Sequence, residues 1–211
     1  SCRIHDEVGA ILQALRTSGR WDDTVVIFCS DHGDHLGDHD LIGKGDFYES
    51  SIKVPLLLSL PWAEGSVDCP QLTSIGDITA SLLALASCPV PDYMDARPLP
   101  ELGFAPPSPA PPERIFGFLS GGCMNFDGTW KLVRYTGGAQ LLFNVAEDPG
   151  EQIDRIADPA CDNILRRLDA ELTQELLRSA DAANSEKQVA HTPLYDDPDY
   201  GRAGWTRTYP Q

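Results

Sequence analysis

The sequence contains no apolar run approaching the about 20 residues that a membrane-crossing helix requires. Its opening, Ser1-Cys2-Arg3-Ile4-His5-Asp6, is polar and has no hydrophobic region of the secretory-leader type. Basic residues are scarce: 16 Lys+Arg stand against 32 Asp+Glu, a net charge of −16. Long-range repulsion of phosphates therefore argues against nucleic acid, and against an anionic membrane surface, as partners. Net charge says nothing about one pocket, so a local site for a small anion stays open. The six cysteines (Cys2, Cys29, Cys69, Cys88, Cys123, Cys161) include no C-x-x-C pair. In a chain this long they need not form a disulfide framework, and they assign no compartment. Cys29 lies in an apolar run and reads as a small core residue. No internal repeat is present. What remains is an ordinary globular composition, 42% hydrophobic and 23% charged. A chain of this size can bury roughly 70% of its extended surface, enough for a core.

Apolar spacing lays out the elements. Ile4, Val8, Ile11, Leu12 and Leu15 recur at three- and four-residue intervals and predict a helix, with Gly19 as its stop. Thr24–Cys29 is continuously apolar and β-branched, which predicts a strand covered on both faces in a parallel sheet. Val54–Leu60 is a second such run, and Thr73–Ala86 reads as a second helix. Alternation of helix and apolar strand predicts an α/β layer. Nine prolines crowd residues 89–112 into an irregular connector. Arg114–Leu119, Thr129–Tyr135 and Gln140–Val145 then read as short strands of a small antiparallel sheet. Turns are expected at Gly121-Gly122, Asp127-Gly128 and Gly137-Gly138. Asn163–Ser179 is an amphipathic helix, and the Asp-, Pro-, Tyr- and Arg-rich end reads as a surface tail.

The chemistry concentrates where the first strand ends, in Cys29-Ser30-Asp31-His32-Gly33-Asp34-His35-Leu36-Gly37-Asp38-His39-Asp40-Leu41-Ile42-Gly43-Lys44-Gly45. Open α/β sheets place ligands at the carboxyl ends of their strands. Asp31 beside His32 offers a hard oxygen and an imidazole, a pair suited to a divalent cation. By residues alone the triplet is also an ordinary turn. His32, His35 and His39 could form a zinc set at helical spacing, although Gly33 and Gly37 disfavour a regular helix there. Asp34, Asp38 and Asp40 read as solvated loop charges, and Lys44 taken alone reads as a surface lysine.

Taken together, the string from Asp22 through Asp31-His32-Gly33-Asp34, Leu36-Gly37-Asp38-His39, Gly43-Lys44-Gly45-Asp46-Phe47-Tyr48-Glu49 and Ser51–Leu56 closely resembles the sulfatase family of the alkaline-phosphatase superfamily. The resemblance extends over about residues 3–180. It takes in Ile75-Gly76-Asp77-Ile78-Thr79, Asp127–Leu132, Leu141–Val145 and Glu147-Asp148-Pro149-Gly150-Glu151. It implies an α/β fold: part of an alkaline-phosphatase-like sheet with flanking helices, then a small antiparallel sheet plus helix. The implied boundaries are 1–88 for the C-terminal part of the sulfatase core, 89–112 for the connector, 113–180 for the antiparallel subdomain and 181–211 for the tail. Family members hydrolyse sulfate monoesters, and close relatives hydrolyse phosphonate monoesters and phosphodiesters. The implied cofactor is one divalent cation, calcium by the sulfatases' usage or manganese by that of the phosphonate relatives. Asp31 and His32 match two of its ligands, and Lys44 matches the lysine that contacts the sulfate oxygens.

The family nucleophile is a formylglycine made from the Cys or Ser of a C/S-x-P-S-R motif. None of the six cysteines is followed by x-P-S-R, no serine fits, and the family's N-terminal aspartate pair is not found. The expectation is therefore a C-terminal portion of a sulfatase holding half of a metal site and no nucleophile. Its expected partners are a small sulfate ester and either the N-terminal part of the same enzyme or a second copy. The rival is a non-catalytic, truncated sulfatase-like protein.

Overall fold

The computed structural model describes residues 2–91, 93–99, 102, 113–119 and 121–194, with side chains described through residue 183. The chain divides into two compact units, Ser1–Ala157 and Asp158–Gln211.

The first unit opens with helix α1, Cys2–Thr17. Gly19, at φ 71°, takes the left-handed conformation that stops a helix and is open to glycine at no steric cost. Val8, Leu12 and Leu15 of the predicted stripe are half-buried, whereas Ile4 and Ile11 remain 65% and 68% exposed. Strand β1, Val26–Cys29, pairs with β2, Leu56–Ser59, in register Val26↔Ser59 through Cys29↔Leu56. The pairing is antiparallel, and among the described residues no third strand joins it. This corrects the expectation of a parallel sheet covered on both faces. Phe28 and Leu57 are exposed, and Cys29 is exposed rather than a core residue. An unbroken apolar run records how apolar a strand is but not the direction of its neighbour.

Between β1 and β2 lie the Asp31–Tyr48 loop and a single helical turn, α2, Glu49–Ile52. Helix α3, Ile75–Leu85, starts with a capping box: Ser74 N donates to Asp77 Oδ2 at 2.8 Å while the Ser74 side chain accepts from the Asp77 amide. Buried Asp77 also receives the Arg97 amide, and buried Ser81 receives that of Leu99, so both tie the described end of the proline-rich connector to α3. Residues 92, 100, 101 and 103–112 of that connector lie outside the described residues, as do residues 195–211 of the predicted tail.

The second sheet is an antiparallel meander, β3 Ile115–Leu119, β4 Gly122–Phe126, β5 Trp130–Tyr135 and β6 Gln140–Asn144. Three of these strands match the sequence expectation; β4, with its Gly, Cys and Asn, has a weak strand pattern and was not expected. Phe47, Met124 and Val133 form the buried centre, flanked by Ile52, Ile115, Tyr135 and Leu141. Two strand glycines make room for the phenyl ring. A Cβ on Gly122 would stand 2.9 Å from Phe47 Cε2, and one on Gly117 would stand 3.3 Å from Phe47 Cε1. The loop that carries Lys44 is thus seated on this sheet by its own Phe47.

In the second unit, helix α4 runs Asp162–Leu194. It continues past the predicted end at Ser179, and Leu168 and Leu172 of its apolar stripe are buried.

Candidate functional site

Asp31 and His32 follow directly on the carboxyl end of β1. Ser30 Oγ donates to the His32 carbonyl at 2.8 Å, and the His32 amide donates to Asp31 Oδ1 at 3.0 Å. The imidazole is oriented by its backbone: Nδ1 stands 2.7 Å from the Gly33 carbonyl oxygen. A carbonyl only accepts, so Nδ1 carries the proton and Nε2 presents a lone pair. That Nε2 faces Asp31 Oδ2 at 3.3 Å, and Lys44 Nζ donates to it. Asp31 is largely exposed and the His32 ring is 39% exposed, so both side chains border solvent.

Lys44 reaches them through a turn that only glycines take readily, with φ of 88° at Gly43 and 122° at Gly45. The His35 amide donates to the Gly43 carbonyl at 2.8 Å, and the Gly45 amide donates to Ser51 Oγ at 3.2 Å. The loop therefore folds back, and three residues separated by twelve and thirteen positions meet at one point. Partial desolvation raises the Asp31 carboxyl. Hydrogen bonds from the backbone of Asp31 and His32, with the charges of His32 and Lys44, outweigh it and hold the group below its ordinary 3.8.

Gly33 has a packing role. Its amide donates to the Ser51 carbonyl at 2.8 Å, and a Cβ there would overlap the Ser50 carbonyl oxygen and lie 3.0 Å from its carbon. Only glycine allows this approach.

The zinc reading does not survive the geometry. The His35 side chain is 2% exposed and engaged on both sides, Nδ1 with Ser50 Oγ at 2.8 Å and Nε2 with Asp46 Oδ2 at 2.9 Å. His39 stacks on Tyr48 with ring centres 3.8 Å apart. Among the described residues no three His, Cys, Asp or Glu converge as a metal site. Asp34 accepts the Leu36 amide at 3.1 Å, and Asp34, Asp38 and Asp40 are exposed, as expected of loop charges.

Sequence reasoning missed the supports of this loop. Lys131 on β5 is fully buried, with Nζ 2.6 Å from Glu49 Oε1, 2.8 Å from Glu151 Oε1 and 3.0 Å from the Phe47 carbonyl. A lysine inside Trp130-Lys131-Leu132-Val133 was the available signal, since lysine is almost never buried without a partner. Burial, and after it the charges of Asp46, Glu151 and Asp154, pushes the Tyr48 hydroxyl above its ordinary value.

The fold is similar to those of solved sulfatase and phosphonate monoester hydrolase structures. Residues 3–88 match the sulfatase family. The chain is 28% identical over 195 residues to the ulvan-active sulfatase of Formosa agariphila, covering 85% of this chain and 38% of that protein. It is 30% identical over 186 residues to PehA of Trinickia caryophylli, a multifunctional protein of the alkaline phosphatase superfamily, covering 77% and 36%. Among solved structures, it is similar to the phosphonate monoester hydrolase of Agrobacterium radiobacter, with TM-score 0.66, 29% identity, and 83% and 39% covered. The chain thus spans under two-fifths of the length of these relatives. Fold and similarity place it in the alkaline-phosphatase superfamily. Within that superfamily the chain belongs to the sulfatase family, on the strength of residues 3–88 and its sulfatase relatives.

Proposed function

We propose that this chain supplies part of the active site of a hydrolase that cleaves sulfate monoesters. Asp31 and His32 would hold a divalent cation, calcium or alternatively manganese, and Lys44 would contact the sulfuryl oxygens. The observation that carries this reading is the orientation of His32. Its proton is committed to the Gly33 carbonyl, so its other nitrogen, Nε2, accepts from Lys44 Nζ and lies beside Asp31 Oδ2. An anionic oxygen and a neutral imidazole nitrogen are a fitting donor pair for such a cation, though only two donors of a larger set. When bound, the cation would polarise the ester oxygens and stabilise an alkoxide nucleophile. The Lys44 ammonium would offset negative charge that grows on the sulfuryl oxygens as the S–O bond breaks. The Asp31 carboxyl is held below its ordinary value, which favours the ionised form that a cation would need. The substrate expected here is a small sulfate ester, and no nucleophile comes from this chain.

The similarity to the phosphonate monoester hydrolase, at 29% identity, supports a second reading in which the same three residues act on phosphonate monoesters or phosphodiesters. Assay of an enzyme carrying this chain behind a C-x-P-S-R-containing portion, on aryl sulfate and aryl phosphonate in parallel, separates the two. Turnover of sulfate that is lost in Asp31→Ala supports the first; turnover of phosphonate alone supports the second. No turnover of either, with the fold intact, supports a non-catalytic protein.

A further inference from the structure

We infer that Lys131, Glu49 and Glu151 form a buried ionic clamp that aims Lys44, making Lys131 a positioning residue contributed by the antiparallel sheet. The inference rests on the reading of Lys44 as the substrate-contacting cation.

Lys131 Nζ donates to Glu49 Oε1 at 2.6 Å and to the Phe47 carbonyl at 3.0 Å, and it pairs as an ion with Glu151 Oε1 at 2.8 Å, an oxygen that takes no hydrogen bond. Glu151 Oε2 in turn accepts the Glu49 amide at 2.6 Å. Lys131 is fully buried, the Glu151 side chain is 1% exposed and that of Glu49 is 14% exposed. The group carries one positive and two negative charges, and Lys53 Nζ, 3.6 Å from Glu49 Oε2, supplies a further cation from solvent. Glu151 is itself held at φ 51°, an uncommon conformation for a non-glycine residue and a cost the surroundings must offset.

The anchor points explain what the clamp is for. It grips residues 47 and 49, three and five positions beyond Lys44. The intervening backbone passes through Gly45, as its entry passes through Gly43, so the turn has little stiffness of its own. On its other side the loop is held by His35, through Asp46 and Ser50. Lys44 is therefore aimed by two buried anchors, one within the loop and one from β5. Buried ion groups are a weak source of stability compared with apolar residues of the same volume, while their fixed partners define one arrangement. Two carboxylates and one carbonyl around one ammonium admit a single seating of Phe47–Glu49.

The test is hydrogen exchange on the 211-residue chain in Lys131→Met and in the charge-free triple variant Lys131→Met/Glu49→Gln/Glu151→Gln. The triple variant leaves no unpaired buried charge and is the decisive one if Lys131→Met fails to fold. Expected in the triple variant is exchange at least ~10-fold faster at the amides of Gly45, Tyr48 and Glu49, with wild-type protection at Met124 and Leu132. Unchanged loop amides would overturn the proposal. So would equal acceleration in loop and strands, or a triple variant that does not fold, since the cluster would then hold the sheet rather than the loop. In an active enzyme carrying this chain, Lys131→Met should lower kcat/KM at least ~10-fold, the scale of a small misplacement, and should add nothing to Lys44→Ala. Full additivity would also count against it. If Lys44→Ala is nearly fully active while the loop amides respond as expected, the positioning stands and the proposed role of Lys44 fails.

Discussion

Replacing Gly33 with alanine puts one methyl group at the tightest point of the site. The new Cβ would overlap the Ser50 carbonyl oxygen and lie 3.0 Å and 3.4 Å from the carbonyl carbons of Ser50 and Ser51. All three are backbone atoms, so no side-chain rotation relieves the contact. Overpacking of this kind costs about 1–3 kcal/mol. Moving the Gly33 loop away from α2 also breaks the 2.8 Å bond from the Gly33 amide to the Ser51 carbonyl, a further loss of about 1 kcal/mol. Against this, alanine restricts the unfolded chain and returns about 0.4–1 kcal/mol. The net expectation is a loss of about 2–3 kcal/mol. With a urea m-value of about 2 kcal/mol/M, the midpoint should fall by about 1 M. The same displacement moves two supports at once: the Gly33 carbonyl that orients His32, and Ser50, whose Oγ holds His35. A midpoint within about 0.3 M of wild type, on an m-value of that size, would refute the close approach of residues 33 and 50.

The Asp31 carboxyl should titrate, by NMR, below its ordinary 3.8, and Lys44→Ala should raise it. Because its value is lowered on folding, its stabilising contribution is present above that ordinary value and fades as pH falls through the lowered one; Asp31→Asn should flatten this acid-limb slope, and an unchanged slope would contradict it. The chain alone should show no sulfatase turnover, since it brings no nucleophile; activity that copurifies with it and disappears in Asp31→Ala would overturn this. Ile4, Ile11, Phe28, Leu57 and Trp62 are exposed apolar side chains on the first unit. The isolated chain should therefore self-associate and bind ANS, and a monodisperse monomer without ANS binding would contradict this.

Much of the fold was legible because its signals are local. Helical spacing marked α1 and α3, and Gly19 marked the end of α1. The β5 and β6 strands were outlined by apolar runs between glycine turns. Strand β4 was not, because Gly122 and Asn125 break the apolar pattern, and Gly122 is there to accept the Phe47 ring from a residue 75 positions earlier. The direction of β1 was likewise invisible, since pairing with Leu56–Ser59 is set by a neighbour rather than by its own composition. At the site, Asp31, His32 and Lys44 could be singled out. The supports could not. His35 looked like a possible ligand and proved to be a buried strut, and the Lys131–Glu49–Glu151 clamp joins residues 82 and 102 positions apart. Contacts of that range leave no periodicity, only the oddity of a lysine among apolar neighbours.

In the proposed function the Lys44 ammonium acts on the sulfuryl group rather than sitting in solvent. The measurement that tests it most directly is kcat/KM for an aryl sulfate in an enzyme carrying this chain, with metal content determined alongside, for wild type, Lys44→Ala and Lys44→Arg. Loss of one such stabiliser of transition-state charge should lower kcat/KM by at least ~100-fold in Lys44→Ala at unchanged metal content. Lys44→Arg should recover little, because a planar guanidinium fork does not reproduce a compact ammonium. Near-normal kcat/KM in Lys44→Ala would contradict the account and make Lys44 a surface lysine.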